Sequence, residues 1–260
     1  LGAEYLAKSG YDPREMIKVI GILKSQEQFD KQLAAEEGRE PRAYHGIFST
    51  HPDNDSRLQE VIMAANKYET DYKKDNQRFF KMIDGLVLGN SEDEGVVRNN
   101  RFYHKQLGIT IAFPDNWKID NLPDRLLAST KSKDAVIQIS LRDLNKRQTP
   151  EQFLRDQFKQ ELTAGKAIHT DTYPGYTAIV EANTPFGRRA TRVAAVFQDN
   201  QVYQIFAVTQ NDGDLKKYDG NFLHTINSIR SLKPSEVALA EARTIKIITA
   251  KNGDTFAKLA

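Results

Sequence analysis

Near Phe102 the spacing of apolar residues changes from a helical rhythm to strict alternation, and no single kind of element satisfies both. Ahead of that point the sequence reads as helix. Asp12-Pro13-Arg14-Glu15 offers an acceptor at N-cap, Pro at N1 and Glu at N3, which satisfies orphan amides and presets φ. Met16, Ile17, Ile20 and Leu23 follow at helical spacing, predicting a helix that runs to Glu37 and is stopped by Gly38. A loop from Arg39 to about Asp53 holds His45 and His51. A second helix is predicted from about Asp55, with one apolar stripe reaching from Leu58 to Leu86, long enough to bridge two domains.

Gly89 to Gly95 is polar, acidic and turn-rich, and reads as a linker. Beyond it Ile109, Ile111 and Phe113 alternate, and Val193, Ala195 and Phe197 face Val202, Gln204 and Phe206 across a turn at Asp199-Asn200. These predict antiparallel strands with one face buried. Two helices interrupt them. Thr149-Pro150-Glu151-Gln152 is a capping box leading into Phe153, Leu154, Phe158 and Leu162, and a later helix carries Leu215, Tyr218, Phe222 and Ile226. Strands with a few covering helices make this part an α+β domain.

Composition narrows the chemistry. With no cysteine, the chain can build neither a disulfide scaffold, nor a thiolate metal site, nor a cysteine nucleophile. A net charge of +2 is too small for a nucleic-acid surface, and the basic cluster Arg98 to Lys105 reads as a solvated linker or strand edge. No apolar run approaches the roughly 20 residues needed to span a bilayer. P-loop, dinucleotide-binding, nucleophile-elbow and EF-hand patterns are all missing from the sequence, and the acidic pairs Glu36-Glu37 and Glu92-Asp93 read as solvated. The opening Leu1-Gly2 lacks an initiator Met, so a natural N-terminus further upstream is expected.

Leu1-Gly2-Ala3-Glu4-Tyr5-Leu6, Ser9-Gly10-Tyr11-Asp12-Pro13, Ser49-Thr50-His51-Pro52 and Arg57 together resemble the zinc peptidases of the HtpX and BepA type. That resemblance implies a gluzincin in which H-E-x-x-H supplies two ligands and a general base, with a Glu ligand on the helix leading into residue 1. It further implies that His51 approaches the zinc as an auxiliary ligand or transition-state support, and that Arg57 faces the same cleft. His45 has no such counterpart and reads as a surface residue. H-E-x-x-H does not occur in these 260 residues, so this chain alone is expected to be inactive and to hold no stoichiometric zinc.

Residues 101–233 resemble the PsbP-like α+β fold through Gly108-Ile109-Thr110-Ile111-Ala112-Phe113-Pro114-Asp115-Asn116-Trp117, with Trp117 read as a core lid. Asn252-Gly253-Asp254-Thr255-Phe256 resembles the start of a LysM module, a class that recognises cell-wall glycans. The expected layout is therefore a helical peptidase remnant over 1–88, a linker over 89–100, the α+β domain over 101–233, a linker over 234–243 and a truncated LysM-like segment over 244–260. The implied parent is an extracytoplasmic bacterial metalloendopeptidase acting on envelope or misfolded proteins. Its expected partners are the N-terminal half of the peptidase domain, a protein substrate and peptidoglycan. The competing reading is a non-catalytic interaction module that docks a partner protein or a cell-wall glycan.

Overall fold

The computed structural model describes residues 1–41, 54–68 and 76–259. They form two units, Leu1–Phe79 and Phe80–Ala260. In the first, α1 (Gly2–Lys8), α2 (Glu15–Glu37) and α3 (Asn54–Ala65) pack on one another. Gly38 ends α2 as the sequence predicts, at a left-handed φ of 64°, while the Arg39 amide donates to the Ala34 carbonyl at 3.0 Å. The start of α2 comes two residues later than expected. Asp12 spends its carboxylate on Arg14, accepting the backbone N–H at 2.9 Å and the guanidinium through both oxygens, so Pro13 and Arg14 form a turn ahead of the helix.

This unit has a thin interior. Among its described residues the buried hydrophobic side chains are Ala3, Ile20, Ala34 and Ala65, whereas Val19, Ile22 and Phe29 on α2 stand 47%, 64% and 65% exposed. The long second helix also divides. α3 closes at Ala65, where Lys67 and Tyr68 donate three residues back in a tightened last turn, and a separate helix, α4 (Asn76–Ile83), resumes after the undescribed stretch 69–75. The boundary between the units falls within α4, upstream of the stretch that reads as a linker.

The second unit contains β1 (Val87–Leu88), β2 (Val96–Arg98), β3 (Arg101–His104), β4 (Ile109–Ala112), β5 (Lys118–Leu122), β6 (Arg125–Ser129) and β7 (Ala135–Asp143). There follow α5 (Pro150–Phe158), β8 (Thr163–His169), β9 (Pro174–Thr184), β10 (Gly187–Gln198), β11 (Gln201–Thr209) and α6 (Leu215–Asn227). β12 (Arg230–Ser231), β13 (Arg243–Thr244) and α7 (Phe256–Leu259) complete it. A seven-stranded antiparallel sheet runs β5-β6-β7-β11-β10-β9-β8, and a four-stranded sheet runs β12-β4-β3-β2. The architecture is α+β: a helical N-terminal region followed by antiparallel sheets carrying helices.

The β10–β11 hairpin has the expected register, pairing Phe197 with Val202, Ala195 with Gln204 and Val193 with Phe206. Asp199 makes the turn at a φ of 50°, a left-handed conformation that its short polar side chain tolerates. One expectation fails here, because the central strands are buried on both faces. Val193, Ala195 and Val202 pack under Leu154 of α5, while Ala194, Val196 and Ile205 share a second core with Phe222 and Ile226 of α6. Near-continuous apolar runs such as Val193–Phe197 suit a strand covered twice. α5 begins at the predicted capping box, with Thr149 Oγ1 accepting from the Gln152 amide at 3.2 Å and Gln152 Oε1 accepting from the Thr149 amide at 2.9 Å. Trp117 meets Tyr218 and Phe222 edge-on at 6.2 Å, closing the core beneath α6.

The stretches read as linkers are structured. β2 lies within 89–100, and Pro234–Ala240 forms a 3₁₀ helix that buries Ala240 against Val96 and Tyr103. Arg230 grips Glu236 through two bonds of 2.8 and 2.7 Å, fixing that helix to the end of the four-stranded sheet. The segment from residue 244 on holds little regular structure. β13 pairs with β1, then the Ile247 amide donates to Asp84 Oδ1 at 2.8 Å.

Candidate functional site

Arg57 lies in the first turn of α3, half-buried, inside the first unit. His51 and His45 fall outside the described residues. The Gly-Tyr-Asp-Pro motif is structural in its effect. Gly10, at a φ of 78°, ends α1, the Tyr11 amide donates to the Leu6 carbonyl at 2.9 Å, and Asp12 begins the turn into α2. The Arg14 guanidinium beside Asp12 holds its carboxyl below the usual range. Among the described residues, no three His, Asp or Glu side chains stand together as a metal site. The described donors do not by themselves form a zinc site.

The second unit holds a cleft that the sequence does not reveal. It measures about 610 Å³ and opens between the β3–β4 turn, the β5–β6 turn and the loop 90–94, with β7 and β11 as its floor. Asn121 fastens the loop to the β5–β6 hairpin, donating through Nδ2 to the Glu94 and Gly95 carbonyls at 2.9 Å each. On the other side Gln106 donates to Asp93. Gly95 is required at this joint, because its φ is 75° and a Cβ there would lie 2.5 Å from the Phe102 ring.

Two titratable groups line the cleft, His104 in a wall and Tyr203 in the floor. Burial pushes the His104 imidazole below its ordinary value, against a smaller opposing effect of the Asp93 backbone, and Nδ1 accepts the Leu107 amide at 3.4 Å. Burial raises the Tyr203 phenol, which donates to Gln198 Oε1 at 2.6 Å. Sequence reading misses this cleft because its floor residues are ordinary alternating strand residues and its walls come from separate segments. The available signal was the acidic run 92–94, which read as a solvated linker.

Residues 1–64 match peptidase family M48, a family of zinc-dependent metallopeptidases. The chain is similar to the solution structure of a cyanobacterial PsbP from Synechocystis sp. PCC 6803 at 12% identity and a TM-score of 0.39, covering 53% of this chain and 95% of that one. A crystal structure from Bacteroides thetaiotaomicron VPI-5482 matches at 11% identity and a TM-score of 0.39, over 54% and 51% of the respective chains. A Pseudomonas aeruginosa protein of unknown function matches at 14% identity and a TM-score of 0.30, over 48% and 92%. No curated protein matches the chain significantly.

Proposed function

We propose that the chain belongs to a zinc-dependent metalloendopeptidase of the HtpX and BepA type, which cleaves envelope or misfolded proteins outside the cytoplasm. The observation that carries this reading is the match of residues 1–64 to peptidase family M48. In this reading the zinc ligands and general base lie outside these 260 residues, and the chain by itself is inactive. His51 and Arg57 line the substrate cleft from the other side. A guanidinium presents several donors in a rigid fork, so Arg57 can hold a peptide carbonyl oxygen as negative charge develops on it. His51 can occupy the coordination position that substrate needs and so hold the enzyme off. Residues 101–233 form the accessory domain, and 244–260 begin a LysM-like segment that contacts peptidoglycan.

The reading is tested on the intact protein. The gene upstream of Leu1 is expected to encode H-E-x-x-H and a Glu on the adjoining helix, and the purified intact protein to carry one zinc. Arg57→Ala is expected to lower kcat by about 10²-fold or more at unchanged zinc content, as for loss of an oxyanion donor. His51→Ala is expected to raise proteolysis. An upstream region without the histidine pair overturns the peptidase reading and leaves the interaction module.

A further inference from the structure

Asn-Gly occurs once in the chain, at Asn252-Gly253. The side-chain amide of an asparagine lies close enough to the next backbone nitrogen for that nitrogen to close a five-membered ring on it. Two conditions govern the reaction. The nitrogen must be unshielded, which glycine provides because it has no Cβ. Its N–H must also be released from any hydrogen bond, since such a bond holds both the proton and the backbone in place.

Asn252 meets both conditions. It and Gly253 are exposed, as is every described residue from 248 to 259, so rotating this turn disturbs no buried contact. Gly253 has a φ of 90°, and no atom lies within 4 Å of where a Cβ would stand. The turn is closed on either side of it. The Asp254 amide donates to the Lys251 carbonyl at 3.1 Å and the Lys251 amide to Asp254 Oδ2 at 2.7 Å, whereas the Gly253 N–H has no acceptor among the described residues. Two other asparagines, Asn90 and Asn227, precede a serine, and there the nitrogen is held. The Ser91 amide donates to Glu94 Oε2 at 3.0 Å, and the Ser228 amide, at the end of α6, donates to the His224 and Thr225 carbonyls at 3.1 Å each.

We propose that Asn252 is a site of spontaneous deamidation through a cyclic imide. Hydroxide from solvent takes the Gly253 amide proton, and the nitrogen attacks Asn252 Cγ. The tetrahedral intermediate collapses with cleavage of the Cγ–Nδ2 bond, and the departing nitrogen takes a proton from water and leaves as ammonia. Water then adds to either imide carbonyl, opening the ring to aspartate or to isoaspartate, in which the main chain runs through the β-carbon. One water is consumed and one ammonia released, with nothing oxidised or reduced. The product carries a new negative charge, and isoaspartate adds a backbone carbon to the turn that Lys251 and Asp254 close. This inference is independent of the zinc chemistry assigned to the first unit.

The test incubates the whole chain in heavy-oxygen water at mildly alkaline pH. Peptides are then released under acidic conditions and sequenced by mass spectrometry with electron-transfer fragmentation, which distinguishes isoaspartate from aspartate. Asn252 is expected to convert at least about tenfold faster than Asn90 or Asn227, each product carrying solvent oxygen and isoaspartate in excess. Asn252→Gln is expected to remain unconverted, because closure there would need a six-membered ring. Ser91→Gly creates a second Asn-Gly pair whose nitrogen still donates to Glu94, and its Asn90 is expected to stay at least about tenfold slower than Asn252. Conversion of Asn252 no faster than Asn227, or of Asn90 in Ser91→Gly as fast as Asn252, overturns the proposal. Aspartate without isoaspartate also overturns it, in favour of direct hydrolysis.

Discussion

The two units show how differently a chain can use the same apolar alphabet. Among its described residues the helical unit buries three alanines and one isoleucine as its apolar interior and leaves Ile22 and Phe29 exposed. The sheet unit fully buries Phe113, Phe222, Ile137, Ile205 and Ile226 in one core, and Leu154 and Val193 in the core on the other face of the sheet. Burying a large aliphatic or aromatic side chain contributes about 1.5 to 3 kcal/mol, and burying an alanine much less. Among the described residues, therefore, the sheet unit carries the larger share of apolar burial and of the stability that burial gives.

The sharpest way to break this comparison is Phe222→Ala, expected to destabilise the sheet unit by about 3 to 5 kcal/mol. Trp117 is the only tryptophan and touches Phe222, so its fluorescence during urea unfolding reports that unit. Ile20→Ala is expected to cost about 2 kcal/mol in helical signal by circular dichroism, while leaving the Trp117 transition in place. A shift of both transitions together would mean that the units fold as one. Hydrogen exchange is expected to be faster in α1 and α2 than in β10 and β11.

Acid sharpens the comparison further. Hydrogen bonds from Thr130, and secondarily Ser132 and Tyr218, hold the Asp134 carboxyl down at about 2, and Arg230 together with the Lys233 amide does the same for Glu236. Both folded values lie below the ordinary 3.8 and 4.5, so their stabilisation is complete above about pH 4.5 and is lost as the pH falls through about 2. Asp134→Asn and Glu236→Gln are each expected to remove about 1 kcal/mol at pH 7 and to flatten the acid limb of the Trp117 unfolding curve. The smallest expected effect is Thr149→Ala, about 1 kcal/mol or less, from loss of the α5 cap.

Local signals were legible in the sequence and long-range ones were not. Gly38, the Thr149 capping box and the Asp199-Asn200 turn act within a few residues, and each does what its chemistry predicts. The burial of β10 on both faces depends on where α5 and α6 land, which alternation within one strand does not encode. Ala240 buries in a stretch of polar composition because Val96 and Tyr103, more than a hundred residues earlier, supply its other wall. At the candidate site, Arg57 could be assigned only through family resemblance, and the cleft, assembled from turns far apart in sequence, left no local pattern. The helical stripe misled in the opposite sense, since Leu58 to Leu86 keeps its period across a break at Ala65.

The ribbon of β1 and β13 pairs Val87 with Thr244 and Leu88 with Arg243, and Gly85 and Ile245 continue the bonding at 2.8 Å. The backbone thus enters the sheet unit beside one of its last strands, so the opening and late residues of Phe80–Ala260 are zipped together and fraying at one would uncover bonding groups on the other.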